Sequence, residues 1–217
     1  MQRQIQACRG AVRSARSDRI IFIRPGAVFA VIWIGWIVSW MSAAFWSNRT
    51  EKLALTWDTV LYRACIVAGF ILMTPWTSRR LLATPLWHVG YAGAYALAAV
   101  TLAGILFTWW ARIHIGRLWS GSITRKEDHH IVDTGPYALV RHPIYSGLIL
   151  ALLATAAAQA TANAVAGAVL ISVGFWLKAR AEERFLAAEL GADAYGAYRR
   201  RVPMLVPSFR GQKVNGR

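Results

Sequence analysis

The chain has 217 residues, 56% of them hydrophobic and 16% charged, with 11 Trp. An ordinary soluble domain is excluded, because the apolar residues fall in blocks near the about 20 residues a helix needs to cross a bilayer. The net charge of +15 would suit nucleic acid in a soluble protein, but here the basic residues lie mainly outside the apolar blocks, where they anchor helix ends and attract anionic lipid; membrane lipid, and no nucleic acid, is the expected partner.

Residues 1–26 read as a basic tail, with Arg3, Arg9, Arg13, Arg16, Arg19 and Arg24 against the single acid Asp18. The apolar block behind it is too long for a signal-peptide core, so the tail is read as preceding a first span. Three transmembrane spans are predicted over 27–110, at about 27–46, 57–76 and 86–110. The first is bracketed by Trp33, Trp36, Trp40 and Trp46, as suits the head-group level. The second carries Asp58 and Arg63 near its start. The third is rich in small residues (Gly90, Gly93, Ala94, Ala98 and Gly104), a pattern that lets helices approach closely in lipid. Cys8 and Cys65 form neither a disulfide framework nor a metal spacing.

Residues 111–217 read as the functional core. The stretch 111–142 is polar and holds four of the five histidines, His114, His129, His130 and His142. Two further spans, about 143–160 and 162–177, follow as a tight hairpin rich in Ala and Gly. After Lys178 the pattern turns amphipathic, with Phe185, Leu186, Leu190, Ala194 and Tyr198 on one helical face. Gly191 is expected to divide this stretch into two short surface helices, the second capped by Asp193. The expected fold class is all-α: an integral membrane bundle of about five spans with a C-terminal hairpin and amphipathic surface helices.

Three clusters could carry chemistry, each with a bland counterpart. In 135–147, Gly135-Pro136-Tyr137 and Arg141-His142-Pro143-Ile-Tyr145 read as a turn and a helix start, with Arg141 and the tyrosines anchoring the interface. The same string sets Arg, His and two Tyr beside a helix N-terminus, where anionic groups bind well. Glu182-Glu183 read alone as first-turn acids of a surface helix; carboxylates are also what a cationic ligand needs nearby. In 195–203, Arg199 and Arg200 read as a topogenic basic run, while Arg201 before Val202-Pro203 is held more firmly. Glu127-Asp128-His129-His130 has no second cluster of matching ligands, and no metal is expected there.

Order and spacing of these clusters over about 117–208 resemble the isoprenylcysteine carboxyl methyltransferase family of membrane enzymes. Carrying the resemblance are His129-x-Ile131-Val132-x-x-Gly135-Pro136-Tyr137, Arg141-His142-Pro143-x-Tyr145-x-Gly147, Glu182-Glu183-x-x-Leu186, and Tyr195-x-x-Tyr198-x-x-Arg201-Val202-Pro203. Two departures are Ala154-Thr155 where the family usually has a glycine, and one extra residue between Gly191 and Tyr195. The resemblance implies methyl transfer from S-adenosylmethionine (SAM) to the carboxylate of a prenylated cysteine or another lipophilic acceptor. It assigns His129, Tyr137, His142, Pro143, Tyr145, Glu182 and Glu183 to the cofactor, and Arg141 and Arg201 to the acceptor carboxylate. Transfer from a sulfonium is an in-line displacement, and a carboxylate acceptor needs no base. The site must supply orientation and dryness, and arginine grips carboxylate bidentately. A thiol or amine acceptor would need a base, with His129 or His142 the candidate. Competing classes are a sterol-reductase-like membrane reductase, which carries a similar Arg-His-Pro string on a longer chain, and a non-enzymatic packing subunit. Because SAM is cytosolic, the implied site faces the cytosol of, in a bacterium, the inner membrane. Three spans before 111–142 then put the N-terminus on the opposite side, against the pull of its own arginines. The sequence sets no oligomeric state.

Overall fold

A computed structural model describes residues 24–44, 56–74, 85–116, 132–190 and 192–207. These form seven helices and no strand: α1 Pro25–Ala44, α2 Trp57–Met73, α3 Tyr91–Ile115, α4 Pro136–Leu139, α5 Pro143–Gln159, α6 Ala162–Leu190 and α7 Ala192–Arg201. The all-α membrane bundle is what the hydropathy blocks predict. Among the described residues, three helices are long and apolar enough to cross a bilayer: Pro25–Ala43, Tyr91–Ile115 and Ala162–Ala188. The other two expected spans, α2 and α5, have 17 residues each. At about 1.5 Å per residue, each falls slightly short of a hydrocarbon core about 30 Å thick.

Local chemistry explains the boundaries. Thr56 caps α2 by accepting from the Thr59 amide, and Pro143 opens α5 at the position where a missing N–H costs nothing. The third span starts at Tyr91, five residues later than the hydropathy suggests, because 85–90 runs irregularly across the far end of the bundle. There the Leu86 amide donates to the Ala160 carbonyl at 2.6 Å, and Trp87 Nε1 to the Ala157 carbonyl at 3.0 Å. Ala160 itself sits in the left-handed region (φ 54°) and closes the α5–α6 turn. At its other end α3 continues past the expected polar boundary to Ile115. Arg112 is buried there, donating to the Gly116 and Ala43 carbonyls.

The largest departure from expectation is α6. The amphipathic stretch after Lys178 is the continuation of the last span as one 29-residue helix, since 178–190 is made almost entirely of strong helix formers with no Gly or Pro to stop it. The break falls between Leu190 and Ala192, as Gly191 predicts, and Asp193 lies in the first turn of α7.

Helices pack in pairs, α2 on α6 and α3 on α5, with the α5–α6 hairpin between them and α1 at the edge on α3. Glycines set the closest approaches. A Cβ on Gly69 would come 2.6 Å from the Gly167 carbonyl, and one on Gly104 2.6 Å from the Gly147 carbonyl. Around these crossings Met73, Ile105, Leu148, Leu152, Ile171 and Phe175 form the core. Trp33 Nε1 donates to Thr155 Oγ1 at 3.1 Å, which ties α1 to α5. The outward faces, including Val31, Ile34, Leu106, Leu150 and Val169, are exposed and apolar, as lipid-facing surfaces are.

Candidate functional site at one end of the bundle

The end of α3, the start of α5 and the end of α6 meet at one end of the bundle, and α4 and α7 close over it. Gly135 begins this construction at φ 57°, where a side chain is strained. A Cβ there would also fall 2.7 Å from His114 Cε1. His114 stacks on Tyr137 at 6.3 Å, and its Nε2 hydrogen-bonds Thr134 Oγ1 at 2.9 Å. Val140 is extended and fully buried, which turns the chain so that Arg141 and His142 precede α5.

From there Arg141, His142 and Tyr145 face the acidic pair on α6. Arg141 Nε donates to Glu183 Oε1 at 2.7 Å. His142 lies between the two acids, Nδ1 3.5 Å from Glu182 Oε2 and Nε2 3.3 Å from Glu183 Oε1. The second contact is an ion-pair distance without hydrogen-bond geometry, so Nε2 is buried and unpartnered. Tyr145 donates its hydroxyl to Glu182 Oε1 at 2.6 Å. Its ring lies nearly parallel to those of His142 (5.5 Å) and Phe175 (5.2 Å). Burial opposes charging His142, but the facing carboxylates of Glu182 and Glu183 prevail and raise its pKa.

The chain after α7 crosses this cluster as a strap. The amides of Arg141 and His142 donate to the carbonyls of Pro203 and Met204 at 2.9 and 3.1 Å, and Ser146 Oγ donates to the Leu205 carbonyl at 2.6 Å. Arg141 Nη1 donates to the carbonyls of Arg199 and Val202. Tyr198 donates to the Tyr137 carbonyl at 2.8 Å. Burial pushes the Tyr198 hydroxyl up to about 12 and raises Tyr137 and Tyr195 as well, so these phenols act as neutral hydrogen-bonding groups.

The residues singled out in the sequence are therefore distributed unevenly. Arg141, His142, Pro143, Tyr145, Glu182 and Glu183 converge. Tyr137 lies one layer away, against His114 and under Tyr198. Arg201 sits on the outer surface, 58% exposed, with Nη2 3.1 Å from Asp133. His129, with the Glu127–His130 run, lies outside the described residues. Sequence reasoning missed Lys178, whose ammonium lies 3.9 Å from Glu182, and Tyr62 on α2, whose ring lies 5.9 Å from that ammonium. The Lys178–Glu182 spacing of four residues was the available signal; nothing local marks Tyr62. Arg199, read as a topogenic charge, lies with Nε 3.4 Å from Glu183 Oε2.

Fold and site together define a helical membrane protein with an enclosed cluster of cations, carboxylates and aromatic rings at one end. Residues 96–188, from the first turns of α3 to just past the acidic pair, match the model of the isoprenylcysteine carboxyl methyltransferase (ICMT) family, so the family resemblance read from the motifs holds over the segment that carries most of the site. Among curated proteins the chain is similar to the methanethiol S-methyltransferase of a Pseudomonas sp., 30% identical over 176 residues, covering 75% of this chain and 64% of that one. It is similar to methanethiol S-methyltransferase 2 of Bradyrhizobium diazoefficiens, 47% identical over 75 residues, 33% of this chain and 26% of that one. It is also similar to the protein-S-isoprenylcysteine O-methyltransferase of Schizosaccharomyces pombe, 32% identical over 103 residues, 45% of this chain and 42% of that one. The matches span less than two thirds of the length of each of these relatives.

Proposed function

We propose that this chain is a SAM-dependent membrane methyltransferase acting on a lipophilic acceptor, most like the carboxylate of an isoprenylcysteine, with its site facing the cytosol. The observation that carries the reading is the convergence of His142, Tyr145, Glu182 and Glu183 from two helices into one enclosed cluster. These residues fit SAM. Two carboxylates and a fixed aromatic stack suit its cationic groups, and the unpartnered His142 Nε2 has a hydrogen bond still to make. When bound, SAM would supply an activated methyl group. Glu182, Glu183, His142, Tyr145 and, from the neighbouring layer, Tyr137 would hold it, His129 completes the set by resemblance, and Pro143 fixes the start of α5. The chain's own contribution is to orient the acceptor and keep water out.

Of the two arginines, Arg201 is the better candidate for the acceptor carboxylate, because one exposed Asp133 contact leaves most of its donors for a ligand. Arg141 is enclosed, and its donors go to Glu183 and two strap carbonyls, which supports a positioning role. This weakens the carboxylate clamp and favours a second reading, S-methylation of a thiol, which two of the similar proteins' names also favour. Radiolabelled SAM incubated with prenylcysteine, thiol and phospholipid acceptors separates these. Label in the prenylcysteine carboxylate supports the first reading, and label on a thiol the second. Failure to bind either SAM or S-adenosylhomocysteine would remove both.

A further inference from the structure

The two acids are unequally supplied with positive charge. Glu183 faces Arg141, Arg199 and His142, whereas Glu182 faces His142, the Tyr145 hydroxyl and the ammonium of Lys178. Lys178 sits one turn before Glu182, and its side chain is only 12% exposed. A lysine on a membrane-crossing helix ordinarily extends its head toward water. This one folds inward, with Nζ 5.2 Å from the Tyr145 ring centroid and 5.9 Å from that of Tyr62. Tyr145 is held by its ring contacts with His142 and Phe175 and by its hydroxyl bond to Glu182, so its position beside the ammonium is fixed. Aromatic faces beside a carboxylate, shielded from water, are the groups that recognise a cation.

We propose that Lys178 is a specificity-determining residue: its ammonium fills a cation niche made by Tyr62, Tyr145 and Glu182 and competes there with the positive centre of a ligand. The inference rests on the SAM reading above and extends it to ligand discrimination. SAM carries a sulfonium, and S-adenosylhomocysteine a neutral thioether; the rest of the two molecules is shared apart from the methyl group. The ratio of their affinities therefore reports the charge environment at sulfur. Lys178 holds that ratio down, so that the cofactor is not favoured over the spent product as strongly as an acidic pair alone would dictate.

Calorimetric titration of the full chain in detergent with each ligand tests this, using wild type, Lys178→Met, Lys178→Gln and Lys178→Arg. Both neutral variants are expected to raise Kd(S-adenosylhomocysteine)/Kd(SAM) about tenfold, equivalent to about 1.4 kcal/mol, and Lys178→Arg to stay near wild type. Should the neutral variants fold poorly, Lys178→Met/Glu182→Gln removes the unbalanced carboxylate and is expected to return the ratio to about the wild-type value. An unchanged ratio in the neutral variants, or equal weakening of both ligands, would overturn the niche and leave Lys178 a packing residue. Wild-type protein that binds neither ligand would instead overturn the SAM reading, and the niche with it.

Discussion

Arg141 ties together pieces distant in the chain: α6 through Glu183, and the strap through the carbonyls of Arg199 and Val202. With Glu183 also enclosed, removing the guanidinium takes away its nearest cationic partner and leaves the buried carboxylate to His142 and the exposed Arg199. Breaking a buried pair costs about 3–5 kcal/mol when no partner remains, and those two keep the loss below that. Arg141→Met is therefore expected to lower the melting temperature in detergent substantially, and Arg141→Lys nearly as much, because one ammonium cannot span the fork. Arg141→Met/Glu183→Gln should be milder than Arg141→Met alone, since the buried carboxylate that lost its nearest partner is gone. A double variant as damaged as the two singles added together would show that the pair does not couple.

His142 supplies a pH signature. Its pKa is raised above the ordinary 6.5 because Glu182 and Glu183 overcome the effect of burial. A folded-state pKa above the unfolded one contributes stability that is fully present below about 6.5 and is lost as pH rises through the folded value. Wild-type melting temperature should thus fall from slightly acidic toward alkaline pH more steeply than that of His142→Gln, measured over the same buffers. Parallel profiles would mean that His142 stays neutral between the acids.

At the scale of elements, the glycine crossings convert sequence spacing into site geometry. Gly104 and Gly147 let α3 and α5 touch backbone to backbone, and Gly147 lies in the second turn of the helix that presents His142 and Tyr145. Gly147→Ala places a Cβ against the Gly104 carbonyl and the Thr108 side chain. Overpacking of this kind costs about 1–3 kcal/mol and should move the start of α5 relative to α6, so ligand affinity should fall along with stability. Gly35→Ala, on the outer face of α1 with nothing within 4 Å, should do neither. These elements also show what was legible. The existence and apolar character of five long helices follow from composition, and Arg141-His142-Pro143 with Glu182-Glu183 could be read from spacing within one hairpin. The run of α6 through Lys178 is not legible from the amphipathic pattern, which a separate surface helix would share; the continuous helix formers of 178–190 carry the span on. Tyr62 and the outward turn of Arg201 depend on tertiary contacts with α2 and with Asp133, which no local pattern encodes.

For the whole molecule, the question is which way the bundle stands in the membrane. The contacts fix the direction of each helix relative to the site. Ala43, at the end of α1, accepts from Arg112 beside the site end of α3, while Trp33, ten residues earlier, reaches Thr155 near the far end of α5. Thus α1 runs toward the site. α2 runs away from it, with Asp58 paired to Arg184 near the site and the Leu72 carbonyl accepting from Asn163 at the far turn. α3 returns, and α5 and α6 form one more hairpin. The N-terminal end of α1 and the strap after α7 therefore lie at opposite ends, which is the arrangement that three crossings before the site require. The six arginines ahead of α1 favour the cytosol for the same end that this geometry sets away from the site. If the site uses a cytosolic ligand, the arginines must yield, and the basic run Arg199-Arg200-Arg201 supplies an opposing pull at the other end. With Cys8 and Cys65 replaced by serine and alanine, single cysteines at 26 and 205 should be labelled from opposite faces by a membrane-impermeant maleimide. In intact cells position 26 should react and position 205 only after lysis. Reaction of 205 in intact cells would invert the bundle and remove the cytosolic site. Equal protection of both would mean that α1 does not cross.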